Sequence, residues 1–227
     1  MRVFSSMATK ALLTDLLADP SLVGDADITL EPGGGVTMAD RLRAGENADV
    51  AILASGSLAR LGSEGVVDAA TLRGLFVSEV VLAIPAGGEI PTMDSADDLR
   101  EILLGAERLG YSTGPSGDGL LALLDDWGVR DHLTDRLVQA PPGTPVARLL
   151  ADGDISVGVQ QRSEFTGIDG VQVVGALPPG CDLTTVFAGA VVTATQDADG
   201  ARRILDALAG EAAADTIRRH GMEPATD

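Results

Sequence analysis

Two short runs constrain the fold of this chain more than any other feature: ADVAILA, residues 48–54, and ISVGVQQ, residues 155–161. Both are nearly continuous in apolar residues, where a half-exposed strand would alternate, and this is the pattern of a strand covered on both faces. Longer stretches of helical periodicity follow most such runs, which predicts an α/β protein built on parallel strands. Strands are expected at Arg2–Phe4, Ala26–Glu31, Val50–Ala54, Val77–Ile84, Arg108–Tyr111, Ile155–Gln160, Val171–Val174 and Val186–Thr193. Helices are expected at Ala8–Leu17, Thr37–Ala44, Ala96–Leu104, Leu120–Trp127 and Pro145–Ala151, with a last periodic stretch over Asp199–His220 ending at Gly221. Two apolar stretches, FVSEVVLAIPAGG and TTVFAGAVVTATQ, are long enough to run from one globule into another. They predict two lobes, residues 1–80 plus 185–227 and residues 81–184, with a ligand cleft between them.

The charge balance narrows the partners. Sixteen Lys and Arg against 34 Asp and Glu give a net charge of −18, which disfavours nucleic acid and anionic membrane surfaces. No apolar run approaches the roughly 18 residues of a membrane span, and no leader follows Met1, so a cytoplasmic protein without membrane insertion is expected. A trimmed leader would instead imply a periplasmic or extracellular location. Cys181 is the sole cysteine and His132 and His220 the sole histidines, so a Cys- or His-rich metal centre is not expected. For both histidines a surface or helix-end position is expected.

Against that acidic background, several turns are rich in small donors and poor in charge. GYSTGPSGDG, residues 110–119, joins a strand to a helix. FSSMAT places Ser5 and Ser6 at the end of the first strand, and EPGGGVT places Gly34 and Gly35 before a helix with Thr37 as its N-cap. LASGSLARL sets Ser55 and Ser57 beyond the ADVAILA run, and APPGTPV offers Thr144 as N-cap with Pro145 at the first helical position. Each turn alone reads as a helix cap; together, along the carboxyl edges of two sheets, they read as a cradle for a small anion held by N–H groups and hydroxyls. A P-loop is not supported, because Asp118-Gly119 stand where Lys and Ser/Thr are needed. No dinucleotide fingerprint or nucleophile elbow occurs, and no cofactor is implied.

At VFSSMATKALLTDL, RLRAGENADVAILAS, GYSTGPSGDGLLALL, APPGTPVARLLADGDISVGVQQRSE and IRRHGMEP the chain resembles the type II periplasmic solute-binding proteins, in particular the molybdate-binding branch. The resemblance covers nearly the whole length and implies a two-lobed α/β fold with crossover strands and a ligand cleft. Carried over by position, it points to Ser5, Ser6, Gly34, Gly35, Ser116, Thr144 and Gln161 around the oxyanion, with Ser55 and Thr113 in the same turns. This chain has Gln160-Gln161-Arg162 where the transport proteins commonly carry an aromatic residue, a change that suits a ligand with several carboxylates. FSSMAT, GYSTGPSG, QAPPG and GVQQRSE are more similar to a smaller, enzymatic branch, the aconitate isomerases. That likeness implies cofactor-independent allylic proton transfer on a small tricarboxylate; non-catalytic binding of an oxyanion or carboxylate is the alternative. Glu164 is the candidate base, or else a loop glutamate; Tyr111 is the candidate acid, or else a packing residue; Arg162 is a candidate carboxylate clamp, or else a surface residue.

Overall fold

A computed structural model describes residues 1–141 and 143–225 as two compact units, Met1–Ser78 with Val186–Asp227 and Glu79–Thr185. The QAPPG segment thus includes one residue, Pro142, outside the described set, as are Thr226 and Asp227.

The first unit opens with β1 (Arg2–Ser6), α1 (Lys10–Leu17), α2 (Pro20–Val23), β2 (Thr29–Gly33), α3 (Gly35–Arg43), β3 (Val50–Ala54), α4 (Ser55–Ser63) and the start of β4 (Arg73–Pro85). The second unit carries the end of β4, then α5 (Ala96–Gly105), β5 (Leu109–Tyr111), α6 (Pro115–Asp126), α7 (Arg130–Leu133), β6 (Leu137–Gln139), α8 (Val146–Ala151), β7 (Val157–Gln161) and β8 (Val171–Ala176). The chain returns through β9 (Thr184–Val191) to α9 (Ala198–Ala209), α10 (Ala214–Arg219) and β10 (Glu223–Pro224).

In the first unit β1 pairs in parallel with both β2 and β3, while β9 runs antiparallel to β3 and β10 antiparallel to β4. One face of this sheet packs with α1, α9 and α10 through Leu12, Leu16, Leu205 and Ile217; the other packs with α3 and α4 through Met38, Leu42, Leu58 and Leu61. In the second unit β5 pairs in parallel with β6 and β7, and β4 runs antiparallel to β7 and β8. Its faces are covered by α5 and α6, through Leu99, Leu103, Leu120 and Leu124, and by α8, through Val146 and Leu150. Both units are therefore helix–sheet–helix layers, and this double cover is why ADVAILA and ISVGVQQ lack an exposed face.

Several element ends differ from the sequence expectation. The last periodic stretch is two helices, because Gly210 stops α9 in an extended conformation before the chain re-enters helix. Helix α6 begins at Pro115, five residues before the apolar pattern, since Gly114 at φ 109° turns the chain and proline suits a first helical position. Helix α3 is capped by Gly34, with Thr37 inside its first turn, and α8 is capped by Pro145, so neither threonine is an N-cap. His220 sits at the end of α10 with its ring 2.8 Å from Asp15, and His132 lies in the short α7. No helix among the described residues is long and apolar enough to cross a membrane.

Trp127, the only tryptophan, packs against the core of the second unit and reports on it by fluorescence. Leu124→Ala, which empties a fully buried position in that core, is expected to lower stability by about 2–5 kcal/mol in a urea titration read at Trp127; a loss below about 1 kcal/mol would show that the core refills the space.

Candidate functional site

Parallel pairing sets where the turns go. The strands β1, β2 and β3 are parallel, so their C-terminal ends, Ser6, Gly33 and Ala54, lie on one edge of the first sheet. The three small-residue turns predicted for this unit follow those ends. Ser5 is fully buried and its hydroxyl donates to the Ser6 carbonyl at 3.3 Å, while Ser6 is half-buried at the turn. Ser55 is half-buried and opens α4 directly after β3. Gly33, Gly34 and Gly35 look alike in sequence but differ in space. A Cβ on Gly33 would come within 2.5 Å of the Met38 sulfur, whereas one on Gly34 would meet only the Thr37 hydroxyl at 3.6 Å, and one on Gly35 nothing within 4 Å. Neither Gly34 nor Gly35 has positive φ. Packing therefore explains Gly33 and leaves the next two unexplained, which is expected where a ligand must approach the backbone.

The second unit repeats the arrangement with β5, β6 and β7, whose C-terminal ends are Tyr111, Gln139 and Gln161. Gln160 and Gln161 end β7 and, by the two-residue period of a strand, point to opposite faces. Gln161 follows Val157 and Val159 toward the α5–α6 layer, where its Oε1 accepts from the Ser116 hydroxyl at 3.0 Å. Gln160 follows Gly158 toward α8, where its Oε1 accepts from the Val146 backbone N–H at 2.8 Å. Two consecutive amides thus each meet the first turn of a different helix. Both are almost fully buried, and both keep their NH2 groups for other partners.

The network fixes hydrogen directions. Ser116 gives its one hydroxyl hydrogen to Gln161, so Ser112, 2.8 Å away, must donate to Ser116. The Gln161 NH2 reaches Thr185 at 3.4 Å. The hydroxyl hydrogens of both serines are therefore engaged inside the protein, and the donors this turn can offer an anion include the N–H groups of the first turn of α6. The turn is held tightly: a Cβ on Gly117 would lie 1.9 Å from the Ser112 carbonyl oxygen. Thr113 is exposed at the tip, and Thr144 is half-buried just before α8.

Beyond β7 a single turn of 3-10 helix, Arg162–Glu164, carries the charged candidates. The Arg162 guanidinium donates from Nε to Glu79 Oε1 at 2.5 Å. Glu164 accepts a hydrogen bond at Oε2 from the Gln160 Nε2. Part of the residue reaches solvent, but protein crowds its carboxyl, and desolvation raises the pKa from 4.5 to about 7. Tyr111 is half-buried against the core of the unit, and its carbonyl accepts from Ala140 N–H. Ser112, Glu79 and Thr185 join the network without having been singled out in sequence, whereas Gln160 stands out there beside Gln161 and Arg162. Ser112 and Gln160 lie inside the quoted motifs; Glu79 lies far from Arg162 in the chain, and no local pattern marks it.

The first unit also holds a shallow pocket of about 340 Å³ lined by Asp68, Thr193, Thr195 and Arg202, among others. None of the predicted residues lines it, and Arg202 is paired there with Asp68 and Asp199.

With two layered α/β units and donor-rich turns on their carboxyl edges, the chain belongs to the bacterial extracellular solute-binding protein family, whose model matches residues 1–223. An aconitate isomerase from Pseudomonas sp. is 29% identical over 201 residues, covering 87% of this chain and 77% of that protein. Among solved structures, the periplasmic molybdate-binding protein of Azotobacter vinelandii superposes with a TM-score of 0.83 at 16% identity, covering 100% of both chains. The sulfate-binding protein SubI of Mycobacterium tuberculosis does so with a TM-score of 0.75 at 18% identity, covering 99% of this chain and 86% of that one. The periplasmic binding-protein fold expected from the sequence is the fold observed.

Two stability measurements test this geometry. Gly117→Ala must displace backbone and is expected to cost at least about 2 kcal/mol. Gly35→Ala should leave stability unchanged or raise it by up to about 1 kcal/mol while weakening anion-induced stabilisation; full retention of that stabilisation would remove Gly35 from the site. Glu164 predicts a pH dependence. Its folded pKa lies above its unfolded value, so the folded state binds the proton more tightly and stability falls as pH rises from about 4.5 through about 7. The loss is expected to reach about 1–3 kcal/mol and to vanish in Glu164→Gln.

Proposed function

We propose that this protein is a cofactor-independent isomerase that interconverts cis- and trans-aconitate, or a similar small tricarboxylate, by allylic proton transfer. The observation that carries this reading is Glu164, a carboxyl with a pKa of about 7 beside an amide that orients it, next to the donor-rich edge of the second unit. The similarity to an aconitate isomerase supports it.

The chemistry needs one group that can take a proton and return it. Glu164 as carboxylate accepts a methylene proton, and the C–H electron pair enters the conjugated carbon–carbon double bond and its carboxylate. The resulting allylic anion is reprotonated by the Glu164 carboxylic acid at the former vinylic carbon, which moves the double bond and allows the other geometry. No electrons are gained or lost overall. A pKa near the operating pH is what general acid–base catalysis favours, since both protonation states are then populated. Charge that builds on the substrate would be met by N–H groups at the start of α6 and by neutral amide donors, a preorganised electrostatic contribution.

The second reading is a non-catalytic receptor for an oxyanion or carboxylate. Its supporting observation is the family itself, together with the fold shared with molybdate- and sulfate-binding proteins.

Proton NMR of trans-aconitate mixed with the full chain separates the two. Appearance of the cis isomer is expected, with Glu164→Gln lowering the rate by at least about 100-fold while keeping ligand-induced stabilisation. An unchanged spectrum, combined with a rise in Tm on adding molybdate, would sink the enzyme reading in favour of the receptor.

A further inference from the structure

The end of β7 places Gln160 between the start of α8 and Glu164. Its Oε1 accepts the Val146 N–H at 2.8 Å, at the start of α8, and this acceptor role turns its NH2 toward Glu164, where Nε2 donates to Oε2. Gln160 is buried, and strand pairing of its backbone to Val81 fixes where the side chain begins. The amide is thus locked from both ends, in a way a surface glutamine never is.

We propose that Gln160 is the positioning residue for Glu164, holding Oε2 as a hydrogen-bond acceptor so that Oε1 is the oxygen that carries and exchanges the proton. In a carboxylic acid the carbonyl oxygen is the better acceptor, so an N–H donor fixed on Oε2 places the O–H on Oε1. In the carboxylate form the same donor stabilises the negative charge and opposes the desolvation that raises the pKa. Gln160 therefore sets both the location of the proton and the pH at which it leaves. The charged groups around this turn are engaged with one another: Arg162 with Glu79, and Arg148 of α8 with Asp152. Strands β7 and β8 contribute no titratable side chain. Among the described residues, the neutral Gln160 amide donates to the Glu164 carboxyl.

The inference deepens the proton-transfer reading and rests on it for its catalytic meaning, but its first test does not require turnover. In the full chain labelled with 13C, the Glu164 carboxyl resonance is assigned by its loss in Glu164→Gln and titrated without ligand. Wild type should titrate near the value of about 7. Gln160→Met removes the donor and should move the titration up by about 1–2 units, the effect of a hydrogen bond to a charged group. Gln160→Glu keeps the size and the acceptor for Val146 and replaces the donor by a second carboxyl, so it should raise the titration at least as far. It supplies the measurement alone if the methionine variant does not fold. The rising limb of kcat/KM against pH should shift by the same amount in each variant, which a purely structural role would not produce. Unmoved Glu164 titrations in the folded variants would overturn the assignment. A moved titration in a protein with no aconitate turnover would uphold the positioning role and reject the isomerase reading.

Discussion

Parallel strand pairing is the constraint on which the rest depends. Because β1, β2 and β3, and again β5, β6 and β7, run the same way, each ends where its neighbours end, and each must be followed by a connection long enough to return. Those connections begin on one edge, so short segments remote in sequence become neighbours. The register places Tyr111 opposite Gln139 and Val159, which puts the turns after all three strands of the second unit together. Most of these connections cross back over the sheet as helices, which bury both strand faces and begin at that edge. Donor clustering is then a consequence of topology, and the sequence has only to keep the turns small.

Burial decides what those turns can do. A side-chain amide or hydroxyl shut away from water must find partners, and Ser112, Ser116, Gln161 and Thr185 find them in each other. Satisfying the network orients it, and orientation removes freedom: a serine whose hydrogen is committed to Gln161 cannot also offer it to an anion. Glu164 shows the other outcome. Among the described residues it receives one neutral donor, from Gln160, which offsets desolvation only in part, and the carboxyl holds its proton to about pH 7. Arg162 could have changed this, but Glu79 neutralises it.

The parts legible in sequence were those governed by local rules. Val50–Ala54 is recognisable as a strand because both its faces are buried, and the Ser5-Ser6 and Gly110–Gly119 turns because small residues interrupt apolar runs. Helix α4 escaped notice because SGSLARLGS has too many small polar residues for its periodicity to stand out, although Leu58 and Leu61 are fully buried. Strand β6, three residues long, is defined by its partner β5 and not by its own composition. Within the candidate site, QQ at a strand end was visible, but the division of its two amides between α6 and α8 needs the sheet and both helices in place. The Glu79–Arg162 pair is a tertiary accident of sequence, readable only once β4 and β7 lie side by side.

A chain of net charge −18 that binds an anion faces repulsion that worsens with each carboxylate near the ligand. On the proposed reading, Glu164 escapes the conflict by its environment. While protonated it adds no negative charge beside a tricarboxylate, and it can still meet the ligand as a hydrogen-bond donor. As an anion approaches, the ionised form of Glu164 is disfavoured further, so binding and proton uptake are linked. The ionised form is the one that removes the substrate's methylene proton, and a pKa of about 7 keeps it populated at neutral pH. Raising the pKa of one carboxyl by burial therefore serves recognition and chemistry together, and a cationic residue in the same place would have secured recognition at the expense of a base able to work at neutral pH.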